Sequence, residues 1–298
     1  MASLNSGLVL DETGYRLDEE ESAFYKAQTG LEDDAALKDH LVRVQAEALA
    51  VHPYACIRHF RFTKLKISRL LAYPDLLKLG REREGAIFLD IGCCFGNDVR
   101  KAVADGYPMH NAVASDLRPE FWQLGYKLFN DSPSTFPVPF IPGDIFSPDH
   151  LTPLPPFTAT SPPTTPPPPL SPTPTSLNPL RGHVSAIHAS SFFHLFDEEQ
   201  QFVVAKALAC LLSPQEGSMI FGQHVGSPDG PDAGKHGKPR PGKIAFGHSK
   251  DSWEAVWDGG VFEKGTVKVE TTWKKRVEEI EEIQGNPTWL LDWRVTRL

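Results

Sequence analysis

Three acidic residues sit where a nucleotide-binding site would need them. Asp90 ends the apolar run of IFLDIGCCFG and is followed by Gly92 and Gly96. Asp116 closes NAVASD, 20 residues beyond Gly96, and Asp144 lies in PGDIF. Glycines after a strand let the backbone approach a ligand closely, and a following helix start adds N–H donors and a partial positive charge. The spacing Asp-x-Gly-x-x-x-Gly is not the dinucleotide fingerprint Gly-x-Gly-x-x-Gly. It suits a ligand with a carboxylate and a ribose but no pyrophosphate, such as S-adenosylmethionine. On this reading Asp116 accepts the ribose hydroxyls and Asp144 the exocyclic adenine amine, with Ile145 and Phe146 against the ring. The Cys93, Cys94 and Gly96 amides would hold the methionine end. Plain turn chemistry is the competing explanation for Asp144, and a helix cap before Pro119 is the one for Asp116. For Cys93 and Cys94 the choice lies between a reactive thiol and a small apolar loop residue.

Histidines follow the later apolar runs. His194 in SSFFHLF is the candidate general base, against a packing or hydrogen-bonding role. His188 reads as core, His224 follows the fifth strand, and His248 in FGHSKDSW is expected over the substrate with Trp253. Tyr54, Arg58, His59, Phe60 and Phe62 lie near the N-terminus, with Trp253 and Trp257 on the opposite flank. These aromatics would line an apolar pocket or pack amphipathically, and Arg58 would orient a substrate carboxylate.

Positioning these residues takes alternating strands and helices, the mark of a parallel sheet. Strands are predicted at 87–90, 112–116, 138–141, 184–189 and 218–223, and helices at 98–104, 119–129 and 197–212. Val267, Val269, Thr271 and Trp273 alternate with polar residues, as do Trp289, Leu291, Trp293 and Val295, which predicts two closing antiparallel strands. Ahead of the sheet, residues 1–85 read as helical. Leu37, Leu41, Val44 and Ala48 form one stripe, Asp33 or Asp34 stands as its N-cap, and Pro53 ends it. Residues 152–180 hold 12 of the 27 prolines. Without backbone donors, neither helix nor central strand is expected there. The segment reads as a disordered or polyproline-like insertion, either tolerated low complexity or an SH3 or WW ligand.

Composition narrows the partners. A formal charge of -8 argues against bulk nucleic-acid or anionic-membrane binding. The four cysteines form no zinc or C-x-x-C spacing, so neither a metal nor a disulfide framework is expected. No apolar run reaches the roughly 20 residues of a membrane span. The N-terminus lacks a secretory signature, and a cytoplasmic protein is expected.

DIGCCFG, SDLRPEFW, GDIF and SSFFHLF together resemble motifs of class I S-adenosylmethionine-dependent methyltransferases. FYKAQTGLEDDAALKDH, VHPYACIRHFRF, GSMIFGQHVG, FGHSKDSWEAVWDGGVFEKGTVKVE and WRVTRL extend the likeness to fungal methyltransferases of meroterpenoid and polyketide biosynthesis, of the austinol-pathway type. The resemblance implies an α/β, Rossmann-like fold with a mostly parallel seven-stranded sheet. It divides the chain into a helical N-terminal lid, 1–85, and a methyltransferase domain, 86–298, with 152–180 outside the family pattern. It implies cofactor roles for Asp90, Gly92, Cys93, Gly96, Asp116, Leu117, Asp144 and Ile145, and Ser190 is added at the end of the fourth strand. The implied reaction is in-line methyl transfer to a small molecule, at a carboxyl or phenolic oxygen. N-methylation, or a non-catalytic binding module, is the alternative, and a homodimer stays open.

Overall fold

The computed structural model describes residues 14–171, 173–230, 246–275 and 289–298. Seven strands form one sheet in the order β3-β2-β1-β4-β5-β7-β6. They are β1 (Ile87–Ile91), β2 (Ala112–Asp116), β3 (Phe140–Pro142), β4 (Val184–His188), β5 (Met219–Gly226), β6 (Val267–Lys275) and β7 (Trp289–Arg297). β1 pairs in parallel with both β2 and β4, while β7 runs antiparallel to β5 and β6. The order in which strands are added reverses between β1 and β4, which is where an open α/β sheet leaves its ligand crevice. The seven-stranded, mostly parallel arrangement is the one anticipated from the sequence.

Alternation along β1 explains how both faces are covered. Leu89, Ile91, Ile187 and Ile220 pack with α7 (Glu198–Leu211) and α8 (Lys250–Trp257). Phe88, Ala114, Ala186 and Phe221 face α4 (Tyr73–Glu82) and α5 (Asn97–Ala104). β1 and β4 are buried at every residue, as central parallel strands require. β3 is shorter and later than expected, because Pro137 and Pro139 have no N–H for the ladder; the Pro139 carbonyl still accepts from Ala114.

The N-terminal helices are α1 (Glu19–Thr29), α2 (Asp34–Val51) and the single turn α3 (Ala55–Arg58). Asp33 is the N-cap of α2, which ends one residue before His52. The buried stripe Leu37, Leu41, Val44 and Ala48 shares a core with Phe95 and with Phe121, Leu124 and Leu128 of α6 (Pro119–Leu128). Residues of α4 join the sheet core itself. Two polar contacts fasten this region to the start of α5. Asn97 donates to the Phe62 carbonyl at 2.8 Å and to Tyr25, and Asp98 accepts from the amides of Lys66 and Ile67 at 3.2 and 2.9 Å. No described helix is long and apolar enough to cross a membrane.

Among the described residues, the proline-rich insertion forms no α-helix and no strand, only a 3-10 turn at Asn178–Leu180. The expectation of disorder, however, needs correction at its ends. Leu177 and Leu180 are fully buried, Thr152 and Asn178 are hydrogen-bonded, and Arg297 donates to the Phe157 carbonyl. The rings of Phe157 and Pro163 lie over Gly182, just before β4. Phe157 and Pro163 sit at the amino end of β4, whereas the Leu177 amide donates to the carbonyl of His150, whose ring meets Ser115 Oγ at 3.2 Å near the carboxyl end of β2. Hydrophobic residues scattered among the prolines, rather than the prolines, do the anchoring.

Candidate active site

After β1 the chain turns sharply through Gly92, Cys94 and Gly96, all at positive φ, before α5 begins. A Cβ on Gly92 would meet the Phe192 ring at 2.8 Å, and one on Gly96 would meet Trp122 at 2.5 Å. Both positions therefore need glycine for space as well as for conformation. The turn folds the loop back on β2. The Gly92 and Cys93 amides donate to the Ser115 carbonyl at 2.8 and 3.2 Å, Cys94 N–H donates to Asp116 Oδ2 at 2.8 Å, and Gly96 N–H to Cys93 O at 2.8 Å. This corrects the expectation that the Cys93, Cys94 and Gly96 amides point at a ligand: they are already engaged. Burial pushes both thiols well above the usual cysteine range, so neither is an activated nucleophile.

The loop rests on a buried cation. Arg100 pairs with Asp131 at 2.8 and 3.1 Å and donates to the Phe95 carbonyl at 2.9 Å and to Gly96 O at 3.3 Å. Its guanidinium lies 4.3 Å from the Phe136 ring centroid and 4.6 Å from that of Phe129. This fastening makes the loop rigid before any ligand arrives.

Asp116 is partly buried at the end of β2. Its oxygens accept from the amides of Cys94 and Arg118, at 2.8 and 3.0 Å. Burial raises its pKa, and these amides oppose the rise. A carboxylate has about four lone-pair sites, so the two held by the backbone fix its direction and leave acceptors for a diol. Asp144 is exposed and accepts the Phe146 amide at 3.0 Å, an Asx turn that presents Phe146 beside the crevice. Ile145 is buried beneath it, while Leu117 is exposed. Tyr54 lies on this side too: its hydroxyl accepts from Arg118 Nε at 3.4 Å, and its ring packs on Phe121. That neighbourhood sets Tyr54 on the Asp116 side, next to Arg118 and α6. Arg58 ends α3 as an exposed side chain.

Asp90 turns toward β4. Its Oδ1 meets His188 Nδ1 at 2.8 Å, and His188 Nε2 meets Ser190 Oγ at 2.7 Å. Burial pushes the Asp90 pKa up, and His188 holds it down. His188, read from the sequence as a core residue, is thus the link between two expected site residues. The available signal was a polar residue in an apolar strand immediately before a loop, the same pattern that marked Asp90. His194 follows a short turn at 193–195 and accepts the Val225 amide on Nδ1 at 3.4 Å.

Beyond His194 the surroundings become aromatic. His224 is buried against Trp253, with ring centroids 4.5 Å apart, and against Phe193 and Trp293. Burial, together with His194 and His248, pulls its pKa well down. His248 meets Ser252 Oγ at 3.0 Å, and burial pushes it down to about 4. Trp253 is 0% exposed. The expectation that His248 and Trp253 flank an open pocket is therefore corrected: the amphipathic face of α8 buries them in the core under the strand ends.

The described groups fit S-adenosylmethionine: a backbone-oriented carboxylate for a ribose, an apolar edge for a purine, and a buried Asp90 oxygen without a partner. Residues 11–63 match the meroterpenoid methyltransferase N-terminal domain family. The asnovolin E/chermesin D methyltransferase nvfJ of Aspergillus novofumigatus is 34% identical over 82% of this chain and 74% of its own. The chain belongs to the fungal meroterpenoid methyltransferase family. The O-methyltransferase phiE of a fungal species is 32% identical over 80% of the chain and 68% of its own length. The methyltransferase ausD of Aspergillus calidoustus is 30% identical over 74% and 68%. Family membership makes this chain a methyltransferase, built on a Rossmann-like sheet. The flanking segments carried the assignment to this family, since a glycine loop alone is common to many folds.

Proposed function

We propose that this enzyme methylates a carboxylate oxygen of a small, largely apolar molecule. Bound S-adenosylmethionine supplies an electrophilic methyl group; Asp116 and Asp144 serve its nucleoside, and Asp90 with Ser190 its amino-acid end. Gly92, Cys93 and Gly96 shape the turn beneath it, and Leu117 and Ile145 give it apolar contact.

The histidines support a carboxylate acceptor. A general base needs a free nitrogen lone pair and a pKa near the working pH. His188 is engaged by Asp90 and Ser190. His224 and His248 are held well below neutrality. His194 accepts the Val225 amide on Nδ1, so its neutral ring carries the proton on Nε2 and acts as a donor. None of the four fits proton abstraction from a phenol, with pKa near 10, whereas a carboxylic acid near 4 is already ionised. The protein's task is then alignment of the acceptor, which supplies up to about 10 kcal/mol of the barrier reduction. His194 as a donor and Arg58 as a charge would orient such an acceptor. The negative net charge favours a small molecule over nucleic acid.

The test is methyl transfer from labelled S-adenosylmethionine to a panel of aromatic acids, terpenoid acids and phenols. The expected product is a base-labile methyl ester, at a rate flat from about pH 6 to 9. Labelled phenyl ethers, formed at a rate that climbs with pH and collapses in His194→Ala, would overturn the carboxylate reading.

A further inference from the structure

A buried polar seam crosses the sheet on the face covered by α4 and α5. From Asp90 it passes to His188 at 2.8 Å and to Ser190 Oγ at 2.7 Å, and Ser190 Oγ also accepts the Gln223 amide at 3.2 Å. The Gln223 side chain donates to Asp292, which pairs with Lys274 at 2.5 Å; Lys274 also donates to the Arg69 carbonyl at 2.8 Å. Proton positions follow from what each atom can do. A carboxylate only accepts, so His188 Nδ1 carries the hydrogen; Nε2 then accepts the Ser190 hydroxyl proton. Ser190 Oγ spends one lone pair on Gln223 and keeps the other.

Two acceptors are thereby left at the switch point between β1 and β4. One is Asp90 Oδ2, buried and without a partner; the other is the remaining lone pair of the partly exposed Ser190. Both belong to side chains that His188 holds. A buried carboxylate oxygen left unmatched is costly, so its natural complement is a cation bearing several N–H bonds. We propose that His188 is a positioning residue, holding Asp90 Oδ1 and the Ser190 hydroxyl so that Asp90 Oδ2 and Ser190 Oγ together receive the α-ammonium of S-adenosylmethionine. This rests on the reading of the crevice as the cofactor site.

Two nucleosides separate the role from plain core stability. S-Adenosylhomocysteine has the amino-acid end, and 5′-methylthioadenosine lacks it. In calorimetric titrations, wild type binds both. His188→Ala should weaken S-adenosylhomocysteine by about 10- to 100-fold, the loss expected when a charged hydrogen bond is misaligned, and change methylthioadenosine by less than about twofold. His188→Gln, whose amide can donate to Asp90, should recover part of the loss. Parallel weakening of both nucleosides would mean His188 only stabilises the fold, and unchanged affinities would also overturn the proposal. Should His188→Ala fail to fold, Ser190→Ala must show the same selective loss, or the proposal fails. A wild-type protein that binds neither nucleoside would instead remove the cofactor reading beneath it.

Discussion

The carboxyl ends of β1 and β2, and the region where the carboxyl end of β5 meets the first half of β7, are finished in opposite ways. At the first pair, polar groups are bonded into one another. Ser115 O takes two loop amides, Asp116 takes two more, Asp98 caps the turn at 66–67, and Arg100 spans Asp131, Phe95 and Gly96. At the second pair, rings pack on rings. His224 has no hydrogen-bond partner on either nitrogen, nor have His248 Nε2 and the indole nitrogens of Trp253, Trp257 and Trp293. Hydrogen-bonded surroundings dictate one pose, whereas apolar packing tolerates exchange of shape at constant volume. A methyltransferase needs the first quality where it holds its donor, which never changes; the second serves the core.

Three measurements would break or sharpen that contrast. Arg100→Ala removes one member of a buried ion pair and unfastens the loop; chemical denaturation should read a loss of about 3–5 kcal/mol. A loss below about 1 kcal/mol would mean the loop is not held from beneath. The aromatic half should instead betray itself through pH. His248 falls from 6.5 to about 4 on folding, so the unfolded chain binds the extra proton between those values. Stability is then complete above about pH 6.5 and declines as pH falls toward 4, by about 3 kcal/mol for this group at 1.36 kcal/mol per unit. His224 adds to the decline in the same direction. His248→Phe should flatten the dependence measured at several pH values, and an unaltered slope would assign it elsewhere. The smallest effect belongs to Asp116→Ala. Calorimetry with S-adenosylhomocysteine should show about 1–3 kcal/mol of lost affinity, and an unchanged affinity would put the ribose elsewhere.

The same contrast governs what could be read from the residues alone. β1, α5, α6 and α7 fall within a residue or two of their predicted bounds, because apolar period, capping residues and Gly–Pro punctuation are local. The closing pair β6 and β7 announced itself by alternation. What a polar side chain meets across strands is not local. Asp90 and His188 are 98 residues apart and become partners only through the register of β1 on β4. For the same reason Trp253 and His248, residues of types that often line pockets, proved to be core: the face that α8 buries depends on where β5 and β7 lie. In the insertion, twelve prolines obscured the few apolar residues, Phe157, Leu170, Leu177 and Leu180, that tie it down.

Those ties make the insertion an adjustable length of chain. It is knotted at Phe157, whose carbonyl takes Arg297, and at Leu177, whose amide donates to the His150 carbonyl. Exposed prolines, serines and threonines fill the span between the knots. Within that span Leu170 packs against the core, and the remaining described residues lie outside every strand. The exposed prolines are thus a natural socket in which a fluorophore, an affinity handle or a second domain can be seated without entering a strand.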